Sequence, residues 1–174
     1  GWLVGDEHKG MRTMFVMMNE ARLGVGLQGL AQADIAYQNA AAFARDRLQS
    51  RALSGPAAPE KPADPIIVHP DVRRMLMDSK AFIEGARAFI LWTALYGDLQ
   101  HKSQDEKVRE KAGDYMALMT PVIKGFLTDL GFKTTSECLQ LHGGFGYMDE
   151  YPIAQMYADA RVQRIYGGAN EVMK

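Results

Sequence analysis

The chain has 174 residues, 47% of them hydrophobic and 24% charged, which is enough for one compact domain with a sizeable core and hardly enough for two. Lys and Arg number 20 against 21 Asp and Glu, a formal net charge of -1 that argues against nucleic acid or an anionic membrane as a broad partner. A single cysteine, Cys138, allows neither an internal disulfide nor a structural zinc site and points to a reducing compartment, the cytoplasm in the simplest case.

Gly1 stands where a nascent chain carries Met, so an excised or processed piece of a longer protein is expected. No apolar run approaches the roughly 20 residues that span a bilayer. From about Glu7 to Leu48, apolar residues recur in steps of three and four through Met11, Met14, Phe15, Met18, Leu23, Leu27, Leu30, Ala33, Tyr37 and Ala41. That spacing predicts one long amphipathic helix. Gly24, Gly26 and Gly29 sit in its middle, each costing about 1 kcal/mol against alanine. Either a neighbouring helix or a ligand at close approach offsets that cost. Residues 50–70 form a Pro-rich connection holding five of the seven prolines, which forbid a continuous helix. It reads as a polyproline-like bridge or as an interaction loop, with short extended pieces expected at Trp2–Val4 and Ile66–Val68.

Pro70 suits the first turn of a second helix over about 70–101. Ser103-Gln104-Asp105-Glu106 reads as the cap of a third helix, over 104–130, which Pro121 must kink or split and Gly131 should stop. A fourth helix is expected over 134–143, ended by Gly143-Gly144, and a shorter one over 152–166, ended by Gly167-Gly168. The fold class predicted is all-α: an antiparallel four-helix bundle with additional short C-terminal helices, one domain over 1–174.

A bundle of this kind invites a di-iron site, but none of His8, His69, His101 and His142 follows a Glu by three residues. No metal role is expected. Gly143-Gly144-Phe145-Gly146 follows a helix rather than a strand and lacks dinucleotide-fingerprint spacing. Cys138 has no base at a readable spacing and reads as a helix-packing residue.

The last third is more specific. It runs Gln140-Leu-His-Gly-Gly-Phe-Gly-Tyr147, Glu150-Tyr-Pro152, Asp159-Ala-Arg161 and Ile165-Tyr-Gly-Gly-Ala-Asn-Glu171. With Gly1-Trp-Leu-Val-Gly5, Lys9-Gly10, Arg22 and Phe43-Ala-Arg-Asp-Arg-Leu-Gln49, this series resembles the C-terminal α domain of the flavin-dependent acyl-CoA dehydrogenases over essentially the whole chain. Pro65-Ile-Ile-Val-His-Pro-Asp-Val-Arg-Arg74 resembles a subgroup that includes methylthiopropionyl-CoA dehydrogenases and relatives acting on longer acyl chains.

The resemblance implies a three-domain oxidoreductase that forms a homodimer or homotetramer. FAD is held between domains and across the subunit interface, the substrate is an acyl-CoA, and an electron-transfer flavoprotein or similar acceptor is the redox partner. The piece alone is expected to lack FAD and to be inactive. The resemblance assigns Arg47, Gln49, Gln140, Gly143, Gly144, Ala169, Asn170 and Glu171 to the cofactor. It assigns Asn19, Arg22, Tyr166 and Gly168 to the substrate, and the backbone N–H of Gly167 to thioester polarisation. The family's Asp is Asn19 here, and its usual hydroxyl residue is Ala169.

The family's catalytic Glu stands either at the position of Gly167 or just before the helix Arg, where this chain has Ala21. Glu20 is the nearest carboxylate in sequence, one residue off, a rotation of about 100° on a helix. Three readings follow: a local bulge brings Glu20 into line, the base lies outside this piece, or the protein is a relative with a binding or assembly role and no dehydrogenation.

Overall fold

Helical apolar spacing dominates the chain, and the computed structural model, which describes residues 1–173, is built almost wholly from helices. Helix α1 spans Gly10–Asp46, α2 Pro70–Lys102 and α3 Glu106–His142, followed by the shorter α4 Ile153–Val162 and α5 Asn170–Met173. No strand occurs among the described residues, where one isolated bridge joins Leu48 to Pro65. None of the helices over these residues is long and apolar enough to cross a membrane. The all-α helical bundle is the fold class expected from sequence.

Pairing of side chains gives the directions. Arg87 meets Asp34 at 2.8 Å and His101 lies 3.7 Å from Glu20, so α1 and α2 are antiparallel. Gly97 faces Met116 and Phe89 packs on Phe126, so α2 and α3 are antiparallel as well. Helices α1 and α3 therefore run parallel, and they approach through glycine. A Cβ at Gly26 would sit 2.5 Å from the Ile123 side chain, and one at Gly131 would sit 2.6 Å from the Gly29 carbonyl oxygen. A neighbouring helix thus explains Gly26 and Gly29, while a Cβ at Gly24 would meet nothing within 4 Å.

That contact also corrects two helix boundaries. Gly131 does not stop α3; it is buried inside it, and the helices expected over 104–130 and 134–143 are one helix of 37 residues. Pro121 lies within it without ending it. Proline removes one donor, that to the Ala117 carbonyl, but Ala117 is exposed and water can serve that oxygen. The expected cap is present at Asp105, whose side chain accepts from the Lys107 N–H at 2.9 Å.

The Pro-rich segment folds around one residue. Asp64 is fully buried and accepts from the backbone N–H groups of Ala52, Ala57 and Ala58 and from Arg51. These donors hold its carboxyl well below the usual carboxylate range. Ile66–Val68, expected as extended, is a turn of 3-10 helix, and Trp2–Val4 has no regular structure. The Gln49 N–H donates to the Asp64 carbonyl at 2.9 Å and the Ile66 N–H to Arg47 at 2.8 Å, so this loop anchors the C-terminal end of α1.

Candidate functional site

The chemistry-bearing residues gather at two places. The first is the turn Tyr166–Asn170, between α4 and α5. Gly167 and Gly168 have φ of 70° and 101°, conformations that side-chain-bearing residues rarely adopt. The turn is held against α1 and α3 from three directions. Arg22 Nε donates to the Gly167 carbonyl at 3.4 Å, Lys124 Nζ donates to the Gly168 carbonyl at 2.7 Å, and the Tyr166 hydroxyl donates to Gln28. Arg22 and Gln28 lie on one face of α1 with Val25, whose side chain would be 3.9 Å from a Cβ at Gly167. Burial pushes the Tyr166 phenol up, which keeps it a neutral donor.

No acceptor among the described residues takes the N–H of Gly167, Gly168 or Ala169. In a trans peptide the N–H points opposite to the C=O. With the carbonyls of Gly167 and Gly168 turned toward cations, the N–H groups of Gly168 and Ala169 point the other way. Such an array can bind an oxyanion or polarise a carbonyl. Asn170 differs from its neighbours. It is fully buried, its carbonyl oxygen accepts from Lys124 at 2.7 Å, and its amide donates to Thr128 and Asp129, both at 2.9 Å. Its side chain therefore builds the turn, while Glu171 is exposed beyond it.

The second place is the far end of α1. Arg47, Gln49, Gly143 and Gly144 line one cleft of about 250 Å3 together with Phe43, His142 and Phe145. The Arg47 guanidinium lies 4.9 Å from the Phe145 ring centre, so its side chain serves the cleft while its backbone N–H caps α1 through Phe43. Phe43 stacks on His142 at 4.5 Å. Cβ atoms at Gly143 and Gly144 would meet nothing within 4 Å, so backbone is open to a ligand there. Gln140 is exposed one turn earlier, and its carbonyl accepts the Gly143 N–H that ends α3.

Glu20 belongs to neither group. Helix α1 is continuous through it, without the bulge that would rotate its side chain. The carboxylate is exposed and faces His101 of α2, across a groove that Asn19 also lines. The structure does not bring Glu20 to Gly167; Ala21, one turn before Val25, is the neighbour on that face. Cys138 is buried on α3, and burial pushes its thiol up to about 12, as suits a packing residue. Lys124 and Gln28 escaped the sequence reading, and His142 was legible there only as a member of the Gln140–Gly144 motif. Lys124 falls among buried positions of α3, and a charge at core spacing was the one available signal.

Comparison with known proteins places the chain. Residues 8–174 match the family model described as acyl-CoA dehydrogenase, C-terminal domain. A 3-methylmercaptopropionyl-CoA dehydrogenase of Ruegeria pomeroyi is 44% identical over 172 residues, 99% of this chain and 29% of that protein. A broad-specificity linear acyl-CoA dehydrogenase of Mycobacterium tuberculosis is 37% identical over 176 residues, 99% of this chain and 28% of that protein. The chain thus spans less than a third of the length of these relatives. Among solved structures, an acyl-CoA dehydrogenase complexed with FAD from Bacillus anthracis superposes with a TM-score of 0.81 at 26% identity, covering 97% of this chain and 28% of that one.

Proposed function

The chain belongs to the acyl-CoA dehydrogenase family as its C-terminal domain, and from that premise we propose that it is the helical third of an FAD-dependent enzyme that desaturates acyl-CoA thioesters between the α and β carbons. The observation that carries this is the Tyr166–Asn170 turn, in which the N–H groups of Gly167, Gly168 and Ala169 have no acceptor among the described residues and the carbonyls of Gly167 and Gly168 are held by Arg22 and Lys124. An α proton becomes acidic enough to remove only as negative charge moves onto the thioester oxygen. Fixed N–H donors at Gly167 and its neighbours stabilise that charge without reorganising. Arg22 and Tyr166 hold the turn in place and Gly168 forms part of it, whereas Asn19 lines the groove beside Glu20 and His101.

The residues at the far end of α1 fit FAD. Arg47 supplies a fixed cation for pyrophosphate, Gly143 and Gly144 admit close backbone approach, and Phe43, His142 and Phe145 offer flat surfaces beside them. Gln49 and Gln140 add polar contacts at its rim, and Ala169 and Glu171 meet the cofactor from the turn. When bound, the flavin accepts the β hydride.

One chain does not complete one site. Arg22, in α1, and Arg47, which caps its C-terminal end, are 25 residues apart, about 37 Å at about 1.5 Å per residue. That is too far for one dinucleotide to touch both, so the two ends of the bundle serve different flavins in a homodimer or homotetramer. An exposed apolar stripe supports such an assembly. Leu91 and Leu95 of α2 lie level with Val122 and Leu118 of α3 in the register that pairs Gly97 with Met116. The catalytic carboxylate comes from outside this domain, since neither Gly167 nor Ala21 supplies one and Glu20 faces α2. Acyl-CoA is the substrate and an electron-transfer flavoprotein or similar carrier the acceptor.

Anaerobic addition of 3-methylmercaptopropionyl-CoA and of linear acyl-CoA thioesters to the full-length protein tests this. Bleaching of the flavin visible band by at least one thioester is the predicted result. A flavin-replete protein that none of them reduces would favour the second reading, a relative that binds without dehydrogenating; the missing Glu is what favours that reading.

A further inference from the structure

We propose that Lys124 is a positioning residue for the thioester turn: a buried cation on α3 that fixes the Gly168–Ala169 peptide so that the turn's N–H groups face the reacting carbonyl. This rests on the dehydrogenase reading above and goes beyond it, because Lys124 is fully buried and its ammonium bonds end on the turn itself.

Lys124 is fully buried, unlike nearly all lysines. Both bonds of its ammonium go to the turn, to the Gly168 carbonyl and to Asn170 Oδ1, each at 2.7 Å. Desolvation pushes its ammonium down, while the nearby charges of Asp129 and Glu171 act in the opposite direction. Asp129 also takes Arg164 at 2.6 Å and the Asn170 amide at 2.9 Å, which closes the network around the turn. A lysine that merely filled space between helices would be better replaced by an apolar chain of the same length. This one instead ends on a backbone carbonyl of the segment with least intrinsic rigidity.

Two consecutive glycines at positive φ have more alternatives than any other pair of residues. Arg22 restrains the first carbonyl and Lys124 the second. A cation on a peptide carbonyl also polarises that peptide, which makes its N–H, here that of Ala169, a stronger donor. Lys124 thereby sets both the direction and the strength of the donors without reaching the ligand.

The test uses the full-length protein and the variants Lys124→Met and Lys124→Gln. Stopped-flow flavin bleaching separates acyl-CoA binding from the reduction step. Reduction should slow by about tenfold to a hundredfold, as for a misplaced donor, while acyl-CoA affinity should stay within about threefold. Hydrogen exchange of the Asn170 and Val172 amides, bonded to Arg164 and Ala169 respectively, should speed by about tenfold, with α1 unchanged. Wild-type reduction and exchange in Lys124→Met would overturn the proposal. If Lys124→Met does not fold, Lys124→Gln, which keeps a donor but loses the charge, must show the split; failure of both to fold assigns Lys124 to the core and overturns it too. If the parent itself is not reduced by any thioester, the dehydrogenase reading fails, and the exchange measurement alone decides whether Lys124 holds the turn.

Discussion

Each residue of α1 is rotated by about 100° from the last, and that rotation decides the fate of Glu20. Arg22, Val25 and Gln28 face the glycine turn, whereas Glu20 falls on the side of His101. A general base must come within hydrogen-bond reach of the proton it removes, and Glu20 lies across the helix from that point. Glu20→Gln in the full-length protein should therefore leave flavin reduction within about twofold, where loss of a true base costs about 10² to 10⁴. A loss of that size, measured by single-turnover bleaching, would return the role to Glu20. The glycines of the turn and the Arg47 cluster were legible in the sequence because they stand in ordered motifs. Lys124 was not, because its meaning depends on residues 44 and 46 positions away. Asn170 was legible as a motif member, but its burial and inward bonding appear only once α3 is packed beside it.

At the level of helices, periodicity located α1 and α2 to within a few residues, and the polar cap at Asp105 located the start of α3. It failed at Gly131, because a glycine that ends a helix and one that lets two helices touch look alike along the chain. Only the opposing Gly29 distinguishes them. Pro121 misled in the same way, since its cost depends on whether the freed carbonyl meets water. The packing reading has a sharp consequence. Gly131→Ala drives a Cβ to 2.6 Å from backbone oxygen, which should destabilise the bundle by about 1–3 kcal/mol or more. Gly85→Ala, in α2, would meet nothing within 4 Å and should instead stabilise it by about 0.5–1 kcal/mol. Denaturant unfolding of the two variants beside the parent checks this. Equal shifts in one direction would contradict the close approach of α1 and α3.

For the whole molecule, the informative feature is the length of α1. It carries Arg22 beside the glycine turn and ends at the Arg47 cleft, so under the proposed function one rigid element links two half-sites of different flavins. On that proposal, each subunit of a symmetric dimer supplies the turn of one site and the cleft of the other. Substitutions at the two ends should complement each other. Arg22→Gln and Arg47→Ala, each made in the full-length protein, should each abolish most of the flavin reduction by acyl-CoA. When the two variants are co-expressed and purified together without sorting, one site in each mixed pair inherits both defects and the other inherits neither. Random pairing should restore roughly a quarter of the wild-type reduction amplitude. Recovery near that level is what the account predicts. A mixed population no more active than the separate variants would contradict it, placing both ends of the bundle in the same site.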